Sequence, residues 1–412
     1  MTIKRDIQKE IEEHLKYPEI TLILGPRQAG KTYIMRQVED KLKKAGKKTL
    51  FLNLDTETDK KYFDSQLSLI SKIKTELGEM GTVFLDEIQR KENAGVFLKG
   101  IYDQNLPYKF IVSGSGSLEL KENIIESLMG RKRVFSVLPL SFKEFINYKT
   151  DYKFAGRLEN YFQTDQEKSL ELFKEYLTFG GYPRVVLANI VGEKIREMDE
   201  IYQSIIDRDI RGLLDISKSE AVNNLLKALA AQIGGTVNYT ELSSITGIAH
   251  QTVLKYLYYL EKIFVLKKIS PYFGNVRKEF SRQPKYYFYD LGLRNNILKL
   301  MSDTVIDVSG GQIFENFVAG ELQSNINYNP VDLHYWRTHE GAEVDFLLEK
   351  GLELIPYEAK FIKMQKPEIT KSFASFIDKY HPKIGYFIHT GEQMEKLFGK
   401  TKVVFLPYWS NL

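Results

Sequence analysis

Apolar and polar residues alternate on two different periods in the first third of the chain, and this pattern predicts a parallel α/β domain. Five short apolar runs, at 20–24, 48–54, 82–85, 109–112 and 134–138, have the length and residue content of strands. The stretches between them are helical in character. Strands that alternate with helices favour a parallel sheet whose functional site lies at the carboxyl ends of the strands.

Eight residues directly after the first apolar run form a complete phosphate-binding loop. Residues 25–32 read Gly-Pro-Arg-Gln-Ala-Gly-Lys-Thr, which is the pattern G-x-x-x-x-G-K-[ST]. In such a loop the backbone N–H groups surround the β-phosphate, Lys31 reaches the β- and γ-phosphates and Thr32 ligates Mg²⁺. We therefore expect ATP and Mg²⁺ as cofactors, held by Gly25, Pro26, Arg27, Gln28, Ala29, Gly30, Lys31, Thr32 and Tyr33.

Polar residues at or near three later runs extend this predicted site to hydrolysis. Asp86 is expected to hold the Mg²⁺ through water and Glu87 to polarise the attacking water, although acids in this place also cap helices. Ser113 is the candidate sensor of the γ-phosphate. Arg131 is the candidate arginine finger for the nucleotide of a neighbouring subunit. Arg133 fits that role equally, and the alternative is that both arginines are solvent-facing loop charges.

The middle of the chain has the pattern of a winged helix. A helical repeat over 219–234 is followed by a short helix, a glycine turn, a second helix with a polar start, and two β-rich runs. Residues 207–300 contain 14 Lys and Arg against 8 Asp and Glu, which favours contact with DNA phosphates over a plain solvated basic face. Packing against protein is the alternative use of this fold. The predicted DNA-binding residues are His250, Gln251, Lys255, Arg277, Lys278 and Arg282.

Three acids and a lysine in the last hundred residues form a candidate metal site. Glu315 lies on a predicted helix, Asp345 on a strand, and Glu358 and Lys360 share one face of the next strand because they are two residues apart. Asp345 and Glu358 would converge on one Mg²⁺ or Mn²⁺, while Lys360 orients the attacking water. Two nearby histidines, His334 and His339, are read as strand-edge or loop residues.

Several of these motifs together resemble a known family. The phosphate loop, residues 84–89 and residues 138–145 after a Gly-Arg pair are similar to AAA-type ATPases of bacteria and archaea. Within that group they resemble proteins that join the ATPase to a restriction-endonuclease-like C-terminal domain. Residues 179–184 also fit, which implies the start of a helical lid and a nucleotide sensor at Arg184. The C-terminal acids and lysine resemble the PD-(D/E)xK nucleases, which implies catalytic roles for Glu315, Asp345, Glu358 and Lys360.

The expected architecture is an α/β protein with four parts. These are an AAA-type ATPase core over 1–150, a helical lid over 151–214, a winged-helix domain over 215–300 and a PD-(D/E)xK nuclease-like domain over 301–412. The absence of cysteine excludes disulfides and thiolate metal sites. No apolar segment approaches the length that spans a bilayer and no secretory signal is visible, so we expect a cytoplasmic protein without membrane contact.

Two functions follow from the sequence. The first is an ATP-hydrolysing, homo-oligomeric enzyme that acts on DNA, with a C-terminal metal-dependent site that cleaves DNA if it is active. The second is a nucleotide-controlled oligomeric switch whose C-terminal domain binds a nucleic acid or protein partner without cutting.

Overall fold

The computed structural model describes residues 2–116, 124–210, 219–272, 283–302, 304–326 and 331–410. The predicted DNA-binding residues Arg277, Lys278 and Arg282 lie outside these ranges.

The first domain is built on a five-stranded parallel sheet, as predicted. Its strands are β1 (Ile20–Gly25), β2 (Thr49–Asn53), β3 (Gly81–Asp86), β4 (Tyr108–Ser115) and β5 (Lys132–Ser136), in the order β2-β3-β4-β1-β5. The helices around it are α1 (Ile7–Glu13), α2 (Lys31–Lys44), α3 (Glu57–Lys60), α4 (Gln66–Leu77), α5 (Ala94–Tyr102) and α6 (Ile125–Ser127). Because both faces of the sheet are covered, the central strand β1 is buried along its whole length, and its residues lie in two separate core clusters.

A group of helices follows, which we call the lid region after the sequence prediction. Its members are α7 (Phe142–Lys149), α8 (Leu158–Thr164), α9 (Gln166–Phe179), α10 (Pro183–Leu187) and α11 (Val191–Ser204), and α11 continues into a π-helical segment at Ile205–Ile210. Helix α7 begins with a capping box between Ser141 and Glu144. Phe142 packs against Phe173 of α9 and Phe317 of the C-terminal region, so α7 is part of the core that joins the lid to the C-terminal half.

The middle region contains the predicted pair of helices and pair of strands. Helix α12 (Ser219–Ala231) precedes α13 (Tyr239–Thr246), and Gly247 in the left-handed conformation separates α13 from α14 (His250–Lys262). Strands β6 (Leu266–Pro271) and β7 (Lys285–Phe288) then pair antiparallel, and α15 (Leu291–Ile297) follows.

The C-terminal region begins with the long helix α16 (Thr304–Ile326), which has a kink at Ser309. It is followed by β8 (Asp332–Arg337), β9 (Glu343–Lys350), β10 (Glu353–Lys360), α17 (Lys371–Tyr380), β11 (Ile384–His389), β12 (Met394–Phe398) and β13 (Thr401–Pro407). These strands continue the β6–β7 pair into one mixed eight-stranded sheet, in the order β12-β13-β11-β10-β9-β8-β6-β7. The sequence led us to expect separate winged-helix and C-terminal units, whereas the described strands of both belong to a single sheet, joined where Ser270 pairs with His334.

Within the described residues, no helix is long and apolar enough to cross a membrane.

Candidate functional site

The carboxyl ends of the central strands bring the predicted nucleotide-binding residues to one edge of the first sheet. Gly25 at the end of β1 pairs with Ser115 at the end of β4, and Asn53 of β2 pairs with Asp86 of β3. The phosphate loop follows β1 and leads into α2, so the first-turn N–H groups of this helix point to the same edge. Gly30 takes a φ of 97° directly before α2, a conformation that a side chain would strain.

The predicted magnesium-binding pair is in direct contact. Thr32 Oγ1 donates a hydrogen bond of 2.8 Å to Asp86 Oδ2, and Asn53 Nδ2 donates to the same carboxylate oxygen at 3.3 Å. Asp86 is completely buried. A hydroxyl and a carboxylate next to a phosphate loop are oxygen donors of the kind that Mg²⁺ prefers.

Lys31 is buried beneath the loop that it belongs to. Its ammonium donates to the carbonyl oxygens of Gly25 at 3.0 Å and Pro26 at 2.8 Å. Burial lowers the pKa of Lys31 to about 8, although the carboxylates of Glu87 and Asp86 partly oppose this effect. An ammonium in such a place gains strongly from a phosphate partner.

Glu87 and Ser113 are held by a small network next to Asp86. Glu87 has left-handed backbone angles (φ 58°, ψ 43°), and its carboxylate accepts a hydrogen bond from the amide of Gln89. Ser113 is buried and donates its hydroxyl proton to Asp86, while its oxygen accepts from the Glu87 N–H at 3.2 Å. The hydroxyl of Ser113 therefore links the Asp86 carboxylate to the backbone of Glu87, and a direct role at the γ-phosphate stays a prediction.

The structure places Arg184 beside the phosphate loop and Arg131 away from it. Arg184, at the start of α10, donates to Gln28 of the phosphate loop at 3.2 Å and also pairs with Glu197 and Glu200 of α11. Arg131 precedes β5 and pairs with Asp103 at 2.6 Å. Because the start of β5 pairs with the start of β1, Arg131 lies at the opposite edge of the sheet from its own phosphate loop. It cannot serve that loop, and its role toward a neighbouring subunit stays a prediction.

The predicted DNA-binding residues that the structure describes form an exposed group at the start of α14. His250, Gln251 and Lys255 are all exposed, while Val253, Tyr256 and Leu257 on the other side of the helix are buried. Helix α14 thus presents polar residues outward and packs its apolar face inward, as a surface helix on a core does, and DNA contact by these residues stays a prediction.

The four residues of the predicted nuclease-like site come together at β9, β10 and α16. Asp345 Oδ2 accepts the backbone N–H of Ala359 at 2.8 Å, and Glu358 Oε1 pairs with Lys360 at 2.8 Å. Burial, followed by the charges of Glu358 and Glu315, raises the pKa of Asp345 well above its ordinary value. Burial also raises the pKa of Glu358.

A second lysine, which sequence reasoning missed, completes this cluster. Lys285 is the first residue of β7 and is only 1% exposed, and its ammonium contacts Glu315 at 3.1 Å and Glu343 at 2.6 Å. Tyr287 donates a hydrogen bond of 2.5 Å to the same oxygen of Glu315. Burial by itself lowers the pKa of Lys285, but Glu315 and Glu343 outweigh it and hold the pKa above its ordinary value. One signal was available: Lys285 opens an apolar run in which a charge is unexpected.

Two carboxylates of the cluster, Glu315 and Glu358, are paired with lysines. Glu315 is committed to Lys285 and Tyr287, and Glu358 retains one buried oxygen, Oε2, with no hydrogen-bond partner in the described part of the chain. Mg²⁺ is usually held by one or two carboxylates and keeps several waters, so the ion pairs with lysine, and not the number of oxygens, count against a metal here. In the ranges that the structure covers, no group of three or more histidine or carboxylate side chains is placed to hold a metal ion.

Comparison with known proteins identifies the first domain. Residues 17–146 match the family model of an AAA domain. Residues 170–304 and 310–409 match two models described as domains of unknown function. The prediction of an AAA-type domain is therefore confirmed, while the winged-helix and nuclease-like interpretations stay predictions.

Similar full-length proteins are found in bacteria and archaea. An uncharacterized protein of Methanocaldococcus jannaschii is 25% identical over 98% of this chain and 90% of its own length. An uncharacterized protein of Mycobacterium tuberculosis is 25% identical over 90% of this chain and 76% of its own length. Among solved structures, the Orc1 protein of Aeropyrum pernix in complex with DNA has a TM-score of 0.30 and 14% identity, over 71% of this chain and 91% of that one.

Proposed function

We propose that the protein binds ATP with Mg²⁺ at the phosphate loop and hydrolyses it. The observation that carries this proposal is the 2.8 Å contact between Thr32 and Asp86, with Glu87 directly beside it. Thr32 and Asp86 would hold the Mg²⁺, which neutralises charge on the β- and γ-phosphates. Lys31 would bind those phosphates, and Glu87 would accept the proton of the attacking water.

Substitution Glu87→Gln tests the hydrolytic part of this proposal. The amide keeps the shape of the side chain but cannot take a proton, so we expect turnover to fall at least 100-fold while ATP affinity changes little. Turnover is measured as phosphate release and affinity by calorimetry. Glu92→Gln, at an exposed position five residues further along the chain, is the matched control and should behave as the natural protein does. Unchanged turnover in Glu87→Gln would contradict the proposal.

We further propose that the start of α14 contacts DNA. The support is the exposed group His250, Gln251 and Lys255 on a helix whose opposite face is buried, in a segment with an excess of basic residues. Phosphate contacts release counterions, so the binding should weaken steeply as salt increases. Packing of α14 against another protein is the alternative.

The salt dependence of DNA binding tests this proposal. Lys255→Ala should weaken binding to all sequences alike and reduce the slope of log affinity against log salt by about 1. Lys44→Ala removes an exposed lysine from α2 and should leave that slope unchanged. Equal slopes in the natural protein and Lys255→Ala, or an affinity that stays flat with salt, would remove α14 from the DNA interface.

For the C-terminal region, the contacts of Lys285 favour the switch over the nuclease. Its ammonium already compensates Glu315, the helix acid of the predicted nuclease-like site, and also Glu343. We propose that this region responds to the nucleotide state of the ATPase domain and binds a nucleic acid or protein partner without cutting DNA. The nuclease hypothesis has a clear test: cleavage by the purified protein with Mg²⁺ or Mn²⁺ that is lost in both Asp345→Ala and Lys360→Ala would overturn our proposal.

Arg131 leads us to propose a homo-oligomer. It lies away from its own phosphate loop, so it can act on a nucleotide only if another subunit supplies that nucleotide. Mass measurement with and without a slowly hydrolysed ATP analogue and DNA should show assembly beyond the monomer. A monomeric mass under all conditions would exclude the finger role.

A further inference from the structure

Two residues of the phosphate loop are held by the lid region. The Arg27 guanidinium donates from Nε to Asp209 Oδ1 at 2.7 Å, and the side chains of both residues are largely buried. Gln28, whose φ of 60° is left-handed, accepts a hydrogen bond from Arg184 at 3.2 Å. These residues occupy variable positions of the loop motif, so phosphate binding as such does not account for their contacts.

The Asp209 carboxylate lies within electrostatic range of the phosphate-binding lysine. Its charge raises the pKa of Lys31, against the larger opposing effect of burial. Burial raises the pKa of Asp209 itself, and the charges of Arg27 and Lys31 partly oppose this effect. A triphosphate at this loop would therefore bring its negative charge toward the carboxylate. It would also offer the Arg27 guanidinium a partner that arginine binds strongly, in two-point geometry. Asp209 and the phosphates would therefore compete for the Arg27 guanidinium and the Lys31 ammonium.

The segment that contains Asp209 connects the loop to the core of the middle region. Asp209 lies in the π-helical segment Ile205–Ile210, a type of irregularity that is frequent at functional sites. Ile206 and Ile210 of this segment are buried in the same core cluster as Leu257 and Leu260 of α14. A displacement of the segment would therefore be felt by the helix for which we propose DNA contact, because packed cores respond as units.

We propose that Asp209 is the residue through which the presence of a triphosphate is communicated to the lid and to α14. Without nucleotide, Asp209 holds Arg27. The triphosphate takes Arg27 from Asp209, and the released π-helical segment shifts its packing against the core. This inference rests on the proposed ATP binding and adds a positioning residue to it.

Substitution Asp209→Asn, which keeps the shape of the side chain and removes its charge, tests the competition. We expect the variant to bind a slowly hydrolysed ATP analogue about tenfold more tightly, since Arg27 is free and the repulsion of the phosphates is gone. Asp207→Asn removes the same charge from an exposed position of the same segment and is the matched control. Weaker binding in Asp209→Asn, or the same affinity as the control, would overturn the proposal.

Hydrogen exchange tests the communication itself. In the natural protein the ATP analogue should increase amide exchange in 205–210 and change it in α14. In Asp209→Asn, exchange in 205–210 should already be raised without nucleotide, and the analogue should add no further change. An identical response in the two proteins would show that the signal does not pass through Asp209.

A double-mutant cycle measures the coupling between Arg27 and Asp209 directly. Arg27→Met, Asp209→Asn and the double variant are compared by urea unfolding, with and without the analogue. The pair should be coupled by at least about tenfold in the unfolding equilibrium without nucleotide, and by less than about twofold with it. Coupling that persists with the analogue would mean that the phosphates do not displace Asp209. Failure of the natural protein to bind the analogue would instead contradict the proposed function. The cycle without nucleotide would still measure the coupling between Arg27 and Asp209.

Discussion

Lys285 binds two carboxylates in the cluster where the sequence motif contains a different lysine. Lys360, the lysine of the motif, pairs with Glu358 and its side chain is 37% exposed, whereas the side chain of Lys285 is 1% exposed. Removal of one partner from a buried ion pair leaves the other charge uncompensated. The two lysines should therefore differ in their contribution to stability.

We predict that Lys285→Met lowers the free energy of unfolding by about 3–5 kcal/mol. Lys360→Met is the comparison: its ammonium is partly exposed and pairs with a single carboxylate, so we expect a smaller loss than in Lys285→Met. Urea unfolding followed by tryptophan fluorescence measures both values. The additional change Glu343→Gln should restore part of the loss in Lys285→Met. Equal losses in the two single variants would contradict the assignment of Lys285 as the central cation.

Lys31 predicts the pH dependence of nucleotide binding. Burial lowers its pKa to about 8 in the free protein, and bound phosphates favour the charged ammonium. Affinity should therefore be fully present below pH 8 and should fall as the pH rises above it, by up to about tenfold per pH unit, because binding must then take up a proton. Calorimetry between pH 7 and 9.5 measures this. Lys31→Arg stays charged and should bind with little pH dependence.

At the scale of the elements, two glycines of the middle region occupy similar backbone conformations for different reasons. Gly234 follows α12 with a φ of +77°, and a Cβ added there would lie 2.8 Å from the Glu315 carboxylate. Gly247 follows α13 with a φ of +68°, and a Cβ there would meet no atom within 4 Å. At Gly234 both the left-handed backbone and the close approach of the Glu315 carboxylate require the absence of a side chain. At Gly247 only the left-handed backbone does.

We predict that Gly234→Ala costs more stability than Gly247→Ala. The backbone contribution, about 1–2 kcal/mol, is common to both, and the contact with Glu315 adds about 1–3 kcal/mol in Gly234→Ala only. Thermal and urea unfolding of the two variants supply the comparison. A loss in Gly247→Ala as large as in Gly234→Ala would mean that the approach to Glu315 relaxes without cost.

At the scale of the whole molecule, the cores do not follow the sequence boundaries at 150 and 300. Phe142 and Phe173 of the lid region pack in one cluster with Phe317 and Tyr408 of the C-terminal region. The eight-stranded sheet also crosses the second boundary, through the pairing of β6 with β8. The C-terminal half is therefore expected to unfold together with its neighbours.

We predict that a fragment of residues 301–412 does not fold cooperatively, whereas residues 141–412 do. The shorter fragment uncovers the edge of β8 and the apolar surface around Phe317, and both favour aggregation. The longer fragment retains α7, the lid and β6–β7. Thermal unfolding followed by near-UV circular dichroism compares the two. A sharp transition in 301–412 would show that it is an independent domain.

The sequence by itself determined the elements and the motifs that depend on local order. The phosphate loop and the acids at the end of β3 were predictable because a fixed spacing of residues along the chain defines them. The helices before and after Gly247 were predictable from the local order of apolar and polar residues. The four C-terminal residues could also be brought together from strand and helix position, since residues two apart on a strand share a face.

The tertiary structure alone decided which charges meet across the chain. Lys285 lies 30 residues before Glu315, and Arg27 lies 182 residues before Asp209, so no local period connects these pairs. Their contacts depend on how the middle strands join the C-terminal sheet and how the lid returns to the loop. Burial makes these contacts important for stability, because a charge removed from water costs free energy unless it is paired.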